Sequence, residues 1–149
     1  MDKIDLKILT ALQQDARLSY RELARRVGLS APAAAERVRK LEAAKVINGY
    51  RTEVNPVALG YAIDALMTVT YPAQLSRRMY RLAQTTPEIV ECFHVTGNGS
   101  VVLRVHAQST RQLEELMLKV QQIGTTATSI ILSVPFRRAA IEPARPDLD

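Results

Sequence analysis

The sequence predicts an α+β chain in two parts, a small helical unit followed by a four-stranded sheet with two helices. Three observations carry that prediction. Apolar residues recur at intervals of three and four through residues 3–41, the spacing of helices with one buried stripe. Beyond Gly60 the rhythm changes to short β-rich runs alternating with helical ones, in the order β-α-β-β-α-β. Asn55-Pro56 and Gly60 punctuate the join.

The first helix is predicted from about Lys3 to Gln14. Asp2 can cap it, and Asp5 suits the positive end of its dipole. Ile4, Ile8, Leu9 and Leu12 form its buried stripe, and Asp15-Ala16-Arg17 ends it. Ser19 caps a second helix in which Tyr20, Leu23, Ala24 and Val27 fall at i, i+3, i+4 and i+7. Gly28 follows where a helix end wants a residue at ease with positive φ, and Leu29 fits a short turn. Ser30 then caps a third helix, Pro32 occupies its first turn, and Ala34, Val38 and Leu41 face inward. Two capped helices joined by a tight turn form a helix-turn-helix.

The other side of the third helix presents Ala33, Glu36, Arg37 and Lys40, with Arg39 on the flank. Small residues at a helix start let the backbone approach base edges, and later cations reach phosphate or guanine. Capped helix pairs also occur in plain bundles, so charge has to decide. The chain of 149 residues has a net charge of +5. Residues 1–50 hold ten basic and six acidic side chains, whereas 51–136 hold seven and six and the tail three of each. Nearly all the excess lies on the segment that contains the helix pair, which points to a polyanionic partner, double-stranded DNA. The candidate DNA contacts are Ser19, Tyr20, Arg21, Ser30, Pro32, Ala33, Glu36, Arg37, Arg39, Lys40 and Arg51. Tyr20 has a core position as its alternative, and Arg37 a pairing with a neighbouring acid inside the domain.

After Leu41, Val46-Ile47, Asn48-Gly49 and Tyr50-Arg51 suggest a strand, a turn and a second strand, since Asn-Gly favours a type I′ turn. That hairpin would be a wing with Arg51 near phosphate; the alternative is a linker that only turns the chain. In the second half, residues 61–71 read as a strand, and Pro72 stops it. Residues 74–85 read as a helix with Leu75, Met79 and Leu82 inside and Arg77, Arg78 and Arg81 on a solvated face. Residues 88–96 and 100–107 are strands joined by Gly97-Asn98-Gly99, a hairpin signal. Ser109 caps a helix lined by Leu113, Leu116, Met117 and Val120, and residues 126–136 form the last strand. Such a sheet has helices on one face only, and a second subunit would cover the other.

Cys92 is the only cysteine, which leaves no intrachain disulfide or thiolate zinc site and reads as a small buried hydrophobe. His94 and His106 read as strand side chains; no metal, cofactor or catalytic set is expected. The opening MDKIDLK is charged, and no apolar run approaches the ~18 residues of a membrane span, so a cytoplasmic protein is expected. The tail RRAAIEPARPDLD has two prolines and balanced charge, the composition of a flexible segment.

Several of these stretches together resemble the Lrp/AsnC (feast/famine) family of regulators. Asp2-Lys3-Ile4-Asp5-Leu6-Lys7-Ile8-Leu9 is similar to its opening D-x-x-D-x-x-I-L. Arg17, Glu22-Leu23-Ala24, Val27-Gly28-Leu29-Ser30 and Glu36-Arg37-Val38-Arg39-Lys40-Leu41-Glu42 resemble its helix-turn-helix, and Val46-Ile47 with Gly49-Tyr50 its linker. The resemblance implies an N-terminal winged helix-turn-helix domain plus a C-terminal ferredoxin-like βαββαβ (αβ-plait) domain. The expected parts are a DNA-binding domain over 1–50, a linker or hinge strand over 51–60, a dimerisation and effector-binding domain over 61–136 and a tail over 137–149. It also implies a homodimer, assembled further into tetramers or octamers, that binds promoter half-sites and responds to an amino acid or other small effector. The effector contacts it implies are Gly97, Asn98, Gly99, Ser100, Thr126 and Thr128.

The chain departs from the family pattern in two places. Lys45 stands where the family usually has glycine. Asn98 and Ser100 stand where its G-D-x-D-Y pattern has acids, which removes a charge partner for an effector's ammonium. Two rival readings remain. The same architecture resembles the sirohaem decarboxylases, where His94, His106 and the arginines would serve a tetrapyrrole's carboxylates. A ligand-binding member without DNA affinity is the other.

Overall fold

The computed structural model describes residues 1–97, 100–137 and 140–141. The chain divides into two compact units. One comprises Met1–Glu53 with the described part of Pro135–Asp149, and the other is Val54–Val134.

The first unit is built on three helices: α1 (Lys3–Gln14), α2 (Tyr20–Val27) and α3 (Ala31–Ala43). Each begins on a side-chain cap. Asp2 accepts the amides of Ile4 and Asp5, Ser19 that of Glu22, and Ser30 that of Ala33. Gly28 ends α2 in the left-handed conformation at φ 75°, which lets the Leu29 amide return to the carbonyl of Ala24. The tight turn so formed delivers Ser30 straight to the start of α3. Ile8, Leu23, Val27, Val38 and Leu41 close the core, with Ile4, Leu12, Leu29 and Ile47 packed around it. This is a helix-turn-helix made from apolar stripes at helical spacing.

The predicted wing is absent. No strand occurs among residues 1–62. The chain leaves α3 through Lys45 at φ 57°, and the amides of Val46 and Ile47 both return to the carbonyl of Leu41. Those amides are then lost to any ladder. Asn48 does not take the positive φ that a type I′ turn requires, since Lys45 alone does so among described non-glycine residues.

In the second unit β1 (Ile63–Thr70), α4 (Ser76–Thr85), β2 (Ile89–His94), β3 (Val101–Ala107), α5 (Thr110–Gln121) and β4 (Thr125–Ile130) follow in the ferredoxin-like order. The sheet is antiparallel, with strands in the order β2-β3-β1-β4. Alternation along β1 and β3 sends Ala65, Met67, Val69, Val101, Leu103, Val105 and Ala107 inward. There they meet Met79 and Ala83 of α4 and Leu113, Leu116 and Val120 of α5. The opposite face carries Leu66 and Val102 beside an ionic cluster in which Arg104 donates to Asp64 at 2.7 Å and lies 3.6 Å from Glu91.

Two sequence expectations fail in this unit. The last strand stops at Ile130 rather than reaching Phe136. The Ile131 amide still bonds the carbonyl of Asp64, but β1 begins one residue earlier and offers nothing beyond it. Cys92 is exposed rather than buried, because β2 is an edge strand of which only Ile89 is buried.

Lys45 occupies a backbone conformation that costs a side-chain-bearing residue roughly 1–3 kcal/mol, against about 0.5–1 kcal/mol for the greater unfolded freedom of glycine. Lys45→Gly is expected to stabilise the helical unit by about 1 kcal/mol in urea unfolding. An unchanged or lowered midpoint would contradict the strain at this turn.

Candidate nucleic-acid interface

The third helix buries Ala34, Ala35, Val38 and Leu41 and leaves Pro32, Glu36, Arg39 and Lys40 exposed, with Ala33 half-buried between them. Its first turn is therefore small and bare, and its cations come later. Arg39 lies 3.3 Å and Lys40 3.8 Å from the carboxylate of Glu36, in pairs one helical turn apart. Both cations are mostly exposed, so solvent screens the pairs and a phosphate can replace Glu36 at little cost. At the start of α2, Ser19, Tyr20 and Arg21 are exposed, which leaves Tyr20 outside the core. Arg25 and Arg26 are held by Glu22, which they keep below the usual carboxylate range. These groups belong to one unit and to consecutive elements, as a groove-binding helix pair requires.

Arg37 is placed differently. Its Nη1 donates at 2.7 Å to Asp2 Oδ2 and at 2.7 Å to Asp5 Oδ1. The guanidinium is one-third exposed and already neutralised, so its alternative reading as an internal partner describes its position. Sequence spacing could not find this, because Asp2 and Asp5 lie more than thirty residues before Arg37. Read locally, the two acids are only a cap and a dipole partner.

Arg51 is exposed and follows a second tie. The Tyr50 hydroxyl donates to Glu42 Oε1 at 2.9 Å, fastening the segment after α3 to its last turn. Residues 46–51 and the apolar side of α1, with Leu6, Leu9 and Leu12, line a hollow in this unit.

The proposed effector residues fall in the other unit. Asn98 and Gly99 lie outside the described residues. Gly97 has φ 100°. The Ser100 hydroxyl accepts the Tyr71 amide at 3.3 Å and donates to the Tyr71 carbonyl at 3.2 Å, which commits it to the backbone. Thr126 lies opposite Val69 on one side of β1, and Ser100 bonds the Val69 carbonyl from the other. Ser100 and Thr126 thus share one end of the sheet. Thr128 sits two residues further in, and its buried hydroxyl has no hydrogen-bond partner among the described residues. A shallow hollow of ≈ 510 Å³ at that end is lined by Pro72, Gln122, Ile123, Gly124 and Thr126, among others.

His94 and His106 do not converge. His94 pairs with Val101 on the helix-covered face, whereas His106 pairs with Asp64 on the open face. That separates the two imidazoles on which the enzyme reading relied. Among the described residues no cluster of metal-ligating side chains occurs, and no helix is long and apolar enough to cross a membrane.

Tyr50 gives this geometry a pH signature. Desolvation first, then the Glu42 carboxylate, push its phenol up to about 12. A raised folded value means that the neutral phenol stabilises the fold fully below about pH 10, the ordinary tyrosine value, and that this support is lost as pH rises towards 12. The phenolate absorbance of the parent minus that of Tyr50→Phe should rise near pH 12. Glu42→Gln should move the rise towards 10, and an unshifted rise in the parent would contradict the tie.

Comparison with known proteins agrees with this geometry. The AsnC-type helix-turn-helix domain matches residues 1–42, and the Lrp/AsnC ligand binding domain matches residues 64–141. The HTH-type transcriptional regulator LrpC of Bacillus subtilis (strain 168) is 35% identical over 133 residues, which span 89% of this chain and 92% of LrpC. Its solved structure superposes with a TM-score of 0.88 over 93% of this chain and 99% of that one, at 33% identity. The leucine-responsive regulatory protein of Rhizobium meliloti (strain 1021) is 38% identical over 139 residues, 89% of each chain. A feast or famine regulatory protein from M. tuberculosis, solved in complex with L-methionine, is similar with a TM-score of 0.84 and 32% identity over 95% of this chain and 99% of that one.

Proposed function

We propose that this chain, which belongs to the Lrp/AsnC family of transcriptional regulators, acts by laying the exposed side of α3 in the major groove of promoter DNA. The observation that carries this reading is the division of α3 into a buried apolar side and an open side that begins with small residues and ends with Arg39 and Lys40. Pro32 and Ala33 let the backbone come close to base edges, and Arg39, Lys40, Arg21 and Arg51 reach phosphate. Ser19 and the first amides of α2 suit a phosphate as well. Such a regulator works in the cytoplasm, without catalysis.

One helix pair contacts few bases, so linked copies have to supply affinity. The open sheet face, with Leu66 and Val102 beside Asp64, Arg104 and Glu91, suits a second copy of the chain. We infer a homodimer, extended to tetramers or octamers as in the family. Its parts are a DNA-binding domain over 1–50, a hinge over 51–60, a dimerisation and effector domain over 61–136 and a tail over 137–149.

A small effector is proposed at the end of the sheet that holds Ser100, Thr126 and Thr128, with Gly97, Asn98 and Gly99 as further candidate contacts. The relative solved with L-methionine supports an amino acid or a similar molecule. Here the turn lacks both carboxylates of the family pattern, and the Ser100 hydroxyl is committed to Tyr71. A carboxylate-bearing ligand without an ammonium group therefore suits this end at least as well as a free amino acid.

The DNA reading is tested by gel retardation on the protein's own upstream region. Arg39→Ala with Lys40→Ala should reduce affinity on every DNA and lower the slope of log K against log salt by about 2. Unchanged binding and slope would remove α3 from the interface, and no retardation of any DNA by the parent would favour a ligand-binding member. For the effector, a saturating ligand at about 100 times its Kd adds roughly 2.7 kcal/mol, a shift of several degrees in Tm. Amino acids and their 2-oxo analogues should include at least one such ligand. No shift with any would identify a ligand-independent regulator.

A further inference from the structure

Arg37 sits in the middle of α3, between exposed Glu36 and buried Val38. Its partners are the two acids of the capping box on α1, and every oxygen of both has a role. Asp2 Oδ1 accepts the amides of Ile4 and Asp5 at 2.8 Å each, while Asp2 Oδ2 accepts from Arg37. Asp5 Oδ2 accepts the Asp2 amide at 2.9 Å, while Asp5 Oδ1 accepts from Arg37. Neither carboxylate can rotate to follow Arg37 without breaking the cap. The guanidinium is therefore held to a frame fixed on the α1 backbone by charge-assisted bonds, which are short and directional.

The core that α1 and α3 share is apolar, with Ile8, Val38 and Leu41 in one cluster. Apolar burial decides which side of α3 turns inward, but it is non-directional and leaves small rotations about the helix axis. A directional bond from residue 37 removes them and sets the angle at which the outer side is presented.

We infer that Asp2 and Asp5 are positioning residues for DNA recognition, holding α3 through Arg37 in the rotation that presents Ala33, Arg39 and Lys40 to the groove. The inference rests on the proposed role of α3. It makes a claim whose sign is opposite to that of simple electrostatics. Removing two negative charges from a DNA-binding unit should strengthen its attraction to a polyanion. If the acids position α3, removing them weakens binding to the correct site instead.

The test uses the full chain with Asp2→Asn and Asp5→Asn together. Asparagine caps a helix as well as aspartate does, so α1 is retained, and thermal melting checks that the unit folds. Affinity is measured on the upstream region and on unrelated DNA, each over a range of salt. The expected result is a loss of about 10-fold on the cognate site, with binding to unrelated DNA unchanged or tighter and the salt slope unaltered. Arg37→Gln should reproduce that loss, the triple variant should add little to it, and Arg37→Lys should recover part of it. Cognate binding by the double Asn variant as tight as the parent's, or tighter, overturns the inference. So does a fall of about 1 in the salt slope on all DNA with Arg37→Gln, the mark of a direct phosphate contact. The Arg39→Ala, Lys40→Ala variant separates the two readings: if it leaves binding intact, the role of α3 itself fails.

Discussion

A helix of thirteen residues can bury only one side of itself, and the account of this chain depends on which side of α3 that is. Val38 and Leu41 are taken into the core with Ile8 and Leu23, so Pro32, Glu36, Arg39 and Lys40 are left to solvent. The same sequence pattern thus makes the fold and exposes the cations. Ser30 and Gly28 complete the constraint, since the tight turn between them sets where α3 begins relative to α2. Ion pairs then divide the arginines by their work. Arg37, held by two acids and largely covered, supports the unit, whereas Arg25, Arg26 and Arg39 sit in exposed pairs one helical turn apart that a partner can replace.

A parallel constraint governs the sheet unit. Both helices lie on one face, where alternate residues of β1 and β3 fill the core. The other face keeps apolar side chains beside a charged cluster, a surface that is better covered than left in water. At the far end of β1, the Ser100 hydroxyl and the pairing of Thr126 with Val69 tie three strands together. The proposed effector site therefore adjoins hydrogen-bonded backbone.

The local features were legible because each depends on near neighbours in sequence. Caps at Asp2, Ser19, Ser30 and Ser109, the Gly28 turn, the apolar stripes and the order of strands can all be read that way. What escaped was set by contacts across the chain or by missing partners. Asn48-Gly49 reads as a hairpin, yet the Leu41 carbonyl captures the amides of Val46 and Ile47 first. Residues 131–136 look like strand, but β1 has no further residue to pair with them. Cys92 looks buried, and the edge position of β2 exposes it. Which acids hold Arg37 could not be read, because Asp2 and Asp5 are distant in sequence and close in space.

Hydrogen exchange of the full chain, free and bound to its upstream DNA, tests the central claim most directly. The account predicts added protection at the start of α2 and along Ser30–Lys40, with β1 to β4 unchanged except where copies meet. Protection confined to the sheet unit, with α2 and α3 exchanging as in the free protein, would contradict it.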